Sequence, residues 1–214
     1  MNIAFLGDSI TLGYGLCDKS KRYATLVASE LGMTEENYGI TGTLMAKAGL
    51  NNSDGLDFVS RLGLIESAEV AVIFGGTNDY FWSDKGLFGD TDEYFAHAID
   101  TICRFVTEKR SGKTTLIVTP YPHNGIGNYL GGEHWRNSNG RHDTTEKNFT
   151  GNTLADYVKI LKAAAEAHGI PCLDLHSDFP FDHRIHTSDG CHPNEEGHEL
   201  LCKAIVKKLR DIMV

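Results

Sequence analysis

Val70-Ala71-Val72-Ile73-Phe74-Gly75-Gly76-Thr77-Asn78-Asp79 is an unbroken apolar run that ends in two glycines and a polar cluster. A run this short and this rich in β-branched residues reads as a strand buried on both faces, and strands of that kind belong to parallel sheets covered by helices. Comparable runs lie on either side of it. Asn2 to Leu6 reads as a buried strand, and Thr114 to Thr119 as another, stopped by Pro120. A brief strand falls around Glu36 to Tyr38, and Pro171 to Leu175 supplies the fifth.

Helical spacing fills the intervals. Tyr23 to Leu31 reads as a helix closed by Gly32, and Phe95, Ala98, Ile99, Ile102 and Val106 recur on one helical face. So do Leu154, Val158, Leu161 and Ala165, ahead of Gly169. The last helix starts after Pro193, with Asn194 as N-cap, Glu195 and Glu196 at the positive helix end, and Leu200, Leu201, Ala204, Ile205 and Leu209 as its core stripe. Strands alternating with helices predict an α/β chain with a five-stranded, mainly parallel sheet covered on both faces. In such sheets ligands bind beyond the C-terminal strand ends, where Ser9 and Asn78 are expected to project.

The 214 residues are read as a single domain, 1–214, with no linker or repeat to divide them. A formal net charge of -9 with interspersed signs lacks the basic stripe of a nucleic-acid partner. Five cysteines, none in a C-x-x-C pair, predict reduced thiols of an intracellular chain. No apolar run is long enough to anchor the chain in a membrane. Met1 to Leu6 has neither a basic n-region nor a small-residue cleavage site, so the expectation is a cytoplasmic protein without a signal peptide.

Two short segments carry chemistry. Gly7-Asp8-Ser9-Ile10-Thr11 places a serine directly after the first strand, and Asp189-Gly190-Cys191-His192-Pro193 places a carboxylate three residues before an imidazole. A serine hydroxyl becomes a nucleophile when a positioned base takes its proton, and an Asp on the imidazole Nδ1 fixes the tautomer that leaves Nε2 free to do so. Taken singly, Ser9 fits a turn cap and Asp-x-x-His a helix-entry turn. The glycines around Ser9 match neither a P-loop nor a dinucleotide fingerprint, and Thr11 stands where a Gly-x-Ser-x-Gly elbow needs its second glycine. Asn78 can offer a side-chain N–H to an oxyanion, and a glycine after the second strand, Gly42 or Gly39, can offer a backbone N–H without a Cβ in the way. Asp8 and Asp79 read as structural hydrogen-bonders, and Cys191 as a buried small residue. Asp182, His183, His186 and His192 could be drawn as metal ligands, but histidines in a polar loop are more often solvated, and no metal is expected.

Gly7-Asp8-Ser9, Asn37 to Gly42, Gly76-Thr77-Asn78-Asp79 and Asp189-Gly190-Cys191-His192, in this order and across essentially the whole chain, resemble the GDSL (SGNH) hydrolase family. The resemblance implies a three-layer α/β/α flavodoxin-like fold and a serine esterase that works without a cofactor. It implies Ser9 as nucleophile, His192 as base, Asp189 as its orienter, and Ser9, Gly42 and Asn78 as oxyanion donors. Tyr80, Trp82, Tyr121 and Trp135 are candidate pocket walls. The expected partner is a small ester, an acylated carbohydrate or a lipid ester, with a tilt toward short acyl groups. A non-catalytic carbohydrate-binding descendant of the fold is the alternative, and a phosphate or nucleotide binder a weaker one.

Overall fold

Along the first strand, neighbouring side chains enter opposite cores: Ile3 and Phe5 pack with one apolar cluster, Ala4 and Leu6 with the other, and all four are fully buried. This alternation in a continuous apolar run is what a sheet covered on both faces requires. The computed structural model describes residues 1–47, 55–123 and 144–213. The strands are β1 (Asn2–Gly7), β2 (Thr34–Gly39), β3 (Val70–Phe74), β4 (Thr114–Val118) and β5 (Cys172–Leu173). They pair in the order β2-β1-β3-β4-β5, every neighbour parallel. The helices are α1 (Ser9–Leu12), α2 (Tyr23–Glu30), α3 (Phe58–Arg61), α4 (Thr77–Trp82), α5 (Phe95–Lys109), α6 (Leu154–Ala167), α7 (His183–His186) and α8 (Glu195–Ile212).

Ile99, Ile102 and Val106 of α5 and Leu154, Val158 and Leu161 of α6 cover one face, while Ala24 and Val27 of α2 and Leu201, Ile205 and Leu209 of α8 cover the other. The three-layer α/β/α architecture is as expected, and its strand order is that of flavodoxin-like sheets. In that order the chain reverses its direction of travel across the sheet between β1 and β3, and the crevice opens beyond the carboxyl ends of those two strands.

The two outer strands depart in length from the sequence expectation. β2 runs for six residues, three more than Glu36 to Tyr38. It is an edge strand with no fully buried residue, so it carries no apolar signature. Its polar side chains bind locally instead: Glu35 pairs with Arg22 at 2.9 Å, and Asn37 Nδ2 donates to the Thr11 carbonyl at 2.9 Å. β5 covers only Cys172–Leu173, because Asp174 turns the chain by accepting the His176 N–H at 2.8 Å.

Two buried polar side chains tie distant segments together. His198 of α8 accepts the Tyr23 N–H at 3.1 Å, giving the first turn of α2 an acceptor that its N-cap, Arg22, does not supply. At the N-terminal edge of the sheet, Arg110 donates to the carbonyls of Ile65, Ala68 and Thr114 and to Thr115 Oγ1, with 1% of its surface exposed. Among the described residues no helix is long and apolar enough to cross a membrane.

Candidate active site

Ser9 is the first residue of α1, immediately beyond β1. Asp8 caps that helix by accepting the Ile10 N–H at 2.9 Å, which turns the chain sharply and leaves Ser9 at the C-terminal edge of the sheet. From the far end of the chain, a turn brings His192 against it. Asp189 Oδ1 accepts the N–H groups of Cys191 at 3.0 Å and His192 at 2.7 Å, and Gly190 N–H donates to Thr187 Oγ1 at 2.8 Å. Asn194 then caps α8. The turn presents a continuous chain of hydrogen bonds: Ser9 Oγ lies 2.9 Å from His192 Nε2, and His192 Nδ1 lies 2.6 Å from Asp189 Oδ2.

Burial alone would raise the Asp189 carboxyl, but its hydrogen bond to His192 and the imidazole charge hold it near 2. Asp189 is therefore a carboxylate across the ordinary pH range, an acceptor that keeps the proton on Nδ1 and leaves Nε2 to face the serine. The Tyr14 ring packs on the His192 ring with centroids 4.5 Å apart, and Tyr121 Oη donates to the Cys191 carbonyl at 2.8 Å. Both contacts hold the imidazole loop.

The residues expected to act as donors meet at the same edge. Asn78 lies in the first turn of α4, beyond β3, and its Nδ2 donates to the Thr43 carbonyl at 3.1 Å and to Asp8 Oδ2 at a longer 3.3 Å. Gly42 sits in a turn closed by Thr43 N–H on the Ile40 carbonyl, with φ of +77°, where a glycine has no steric cost. Its N–H finds no acceptor among the described residues. Gly39 is different: its N–H is engaged by Asn37 Oδ1 at 3.0 Å, and a Cβ there would stand 2.3 Å from Leu12 N. Its lack of a side chain serves the packing of α1 on β2.

Two further carboxylates lie under this edge. Burial pushes Asp8 up to about 6, against the Ile10 N–H and the charges of His192 and Arg61. Burial likewise raises Asp79 to about 7, although its carboxylate accepts N–H groups from Met45 and Ala46, both at 2.9 Å. Asp79 thus anchors the segment that follows Gly42. Cys191 is 3% exposed, its Sγ 3.8 Å from His123 Nε2, and burial pushes its thiol well above the usual range. It is a protonated packing group.

Of the aromatic candidates, Tyr80, Trp82 and Tyr121 are 3%, 8% and 1% exposed. Tyr80 Oη donates to the Glu146 carbonyl at 2.9 Å, so this ring of α4 braces the segment that leads into α6. Trp135 lies outside the described residues. Among those residues no group of three or more His, Cys, Asp or Glu side chains could hold a metal ion; His186 Nδ1 accepts the Asp182 N–H at 2.9 Å. Sequence reasoning passed over Tyr14, Thr43 and Arg61. Tyr14, five residues beyond Ser9, and Thr43, beside Gly42, could have been found by their proximity to the motifs; Arg61 has no local signal.

The model of the GDSL-like lipase/acylhydrolase family matches residues 5–200. The chain belongs to this family. Solved structures share the GDSL-like fold over nearly its full length. A protein from Lactobacillus plantarum is 24% identical, with a TM-score of 0.81, covering 100% of this chain and 98% of that one. The aryl esterase of M. smegmatis is 18% identical with a TM-score of 0.71, covering 99% of each chain. A carbohydrate acetylesterase from Sinorhizobium meliloti is also 18% identical, with a TM-score of 0.72 and 99% of each chain covered. No curated protein matches the chain. Membership in the GDSL-like family points to hydrolysis of esters.

Proposed function

We propose that this chain is a serine-dependent carboxylic ester hydrolase acting through an acyl-enzyme, with Ser9, His192 and Asp189 as its triad. The observation that carries the reading is the unbroken run from Ser9 Oγ to His192 Nε2 at 2.9 Å and from Nδ1 to Asp189 Oδ2 at 2.6 Å, between groups 183 residues apart in sequence. His192 Nε2 takes the Ser9 proton as Oγ attacks the ester carbonyl, and Asp189 stabilises the imidazolium. The oxyanion is received by the N–H groups of Ser9 and Gly42 and by Asn78 Nδ2, whose longer bond to Asp8 is the one to yield. The imidazolium then protonates the departing alcohol. Water, activated by the same imidazole, attacks the acyl group and frees Ser9.

For the substrate, a short acyl group on a carbohydrate is favoured by the carbohydrate acetylesterase among the structural neighbours. A cytoplasmic setting agrees with five free thiols. The test is hydrolysis of p-nitrophenyl acetate and of acetylated sugars by wild type and Ser9→Ala, with labelling by a fluorophosphonate probe. Turnover and labelling in wild type, both lost in a folded Ser9→Ala, are expected. Undiminished turnover in Ser9→Ala refutes the reading, and a wild type that binds sugar without labelling makes the chain a non-catalytic carbohydrate binder.

A further inference from the structure

Arg61 is 5% exposed and forms no salt bridge among the described residues, yet its guanidinium donates in four directions. Nε reaches the Leu56 carbonyl at 2.7 Å and one terminal nitrogen the Tyr38 carbonyl at 2.5 Å. The other reaches the Gly7 carbonyl at 3.2 Å and Thr43 Oγ1 at 3.0 Å. Two of these acceptors lie at the ends of strands: Gly7 closes β1 two residues before Ser9, and Tyr38 lies one residue before the end of β2. Thr43 follows Gly42, and its carbonyl is the one that Asn78 Nδ2 holds at 3.1 Å. Thr43 Oγ1 in turn donates to the Ile40 carbonyl at 2.9 Å, bracing the Gly42 turn.

One rigid fork is therefore bonded to the backbone just before Ser9 and to the residue that joins Gly42 to Asn78. The geometry points to Arg61 as a positioning residue that sets the spacing of the three proposed oxyanion donors. This inference rests on the ester-hydrolase reading of the site. Arg110 is the control: it bonds backbone carbonyls in the same manner, but at the opposite edge of the sheet, away from these donors. A planar guanidinium holds several acceptors in a fixed pattern, which the single ammonium of lysine cannot reproduce. Asp57, by accepting the Ser60 N–H at 2.8 Å, fixes the start of α3 and so the place from which Arg61 reaches.

The experiment compares Arg61→Lys, Thr43→Val and Arg110→Lys with wild type and Ser9→Ala on p-nitrophenyl acetate, measuring kcat and KM separately and melting each variant. Thr43→Val is nearly isosteric and keeps Arg61 itself, so it serves if Arg61→Lys does not fold. Arg61→Lys is expected to lose about 100-fold in kcat, as small misplacements of reacting groups do, with KM within about threefold of wild type. Thr43→Val is expected to lose about tenfold in kcat on the same grounds. Arg110→Lys is expected to melt lower while keeping its kcat. A folded Arg61→Lys or Thr43→Val with wild-type kcat overturns the role of Arg61 alone, and so does an equal kcat loss in Arg110→Lys. A wild type that neither turns over the ester nor labels at Ser9 overturns the hydrolase reading and this inference together.

Discussion

Asp189→Asn separates two jobs that one carboxylate performs. Oδ1 holds the turn through the Cys191 and His192 N–H groups at 3.0 and 2.7 Å, and Oδ2 faces His192 Nδ1 at 2.6 Å. An asparagine keeps the first job, since its carbonyl can take the place of Oδ1. Its amide nitrogen then stands where Oδ2 was, donates to Nδ1, and forces the imidazole proton onto Nε2. An Nε2–H donates to Ser9 Oγ and cannot take the serine proton. The loss expected for the wrong tautomer is about 10⁴-fold in kcat, or about 5.5 kcal/mol of barrier. The stability lost with the charge-assisted bond is smaller, about 1.5–3 kcal/mol. The assay is initial rates of p-nitrophenyl acetate hydrolysis with a thermal melt of the same sample, and Asp189→Ala as companion. If Asp189 served only the turn, Asn would be harmless and Ala damaging. If it sets the tautomer, both lose activity together. A folded Asp189→Asn within tenfold of the wild-type kcat refutes the reasoning.

Asn78→Ala removes one proposed oxyanion donor and is expected to lower kcat by about 10²–10³-fold, with KM little changed; a loss confined to KM would remove Asn78 from the transition state. Gly39→Ala drives a Cβ to within 2.3 Å of Leu12 N, whereas Gly42→Ala meets open space and only an unfavourable φ of +77°. Urea unfolding should therefore show Gly39→Ala destabilised by about 3 kcal/mol or more and Gly42→Ala by about 1 kcal/mol, and the reverse order would contradict the packing described. Asp8 and Asp79, raised by burial to about 6 and about 7, bind protons more tightly folded than unfolded, so their stabilisation is complete below the ordinary 3.8 and fades as pH rises through 6 to 7. Asp189 and Asp174, held near 2, behave oppositely, stabilising above 3.8 and losing that contribution as pH falls toward 2. Unfolding free energies followed across this range should rise and then decline, and Asp8→Asn should flatten the decline; an unchanged slope in that variant would show that Asp8 is not its source.

The layers were legible because β1, β3 and β4 are apolar on both faces and α5, α6 and α8 carry clear stripes, signals that arise from burial itself. β2 was read short because an edge strand of Glu, Asn and Tyr has no buried face to mark it. The four-residue helix α1 was read as a turn, for four residues are too few to show a period. That Ser9, Asn78, Asp189 and His192 would come to one edge of the sheet could be anticipated because each sits in a short motif beside a strand end or a helix start, while their roles rest on the proposed function. Arg61 was not, since its meaning depends on where the ends of β1 and β2 come to rest, and nothing near it in the chain records that.

The hydrogen bond between Ser9 and His192 spans 183 residues, and the helix that follows His192 also supplies the acceptor for Tyr23 N–H near the start of the chain. At about 5–20 residues per second, about 10–40 s separate the synthesis of Ser9 from that of His192. Through that interval Ser9 stands without the imidazole that the proposed mechanism requires, so the growing chain is expected to carry no hydrolytic activity. The same span makes turnover a stringent gauge of assembly. A polypeptide that has formed β1, β3 and β4 but has not docked its last helix would show much of its secondary structure and, on the proposed mechanism, no hydrolysis.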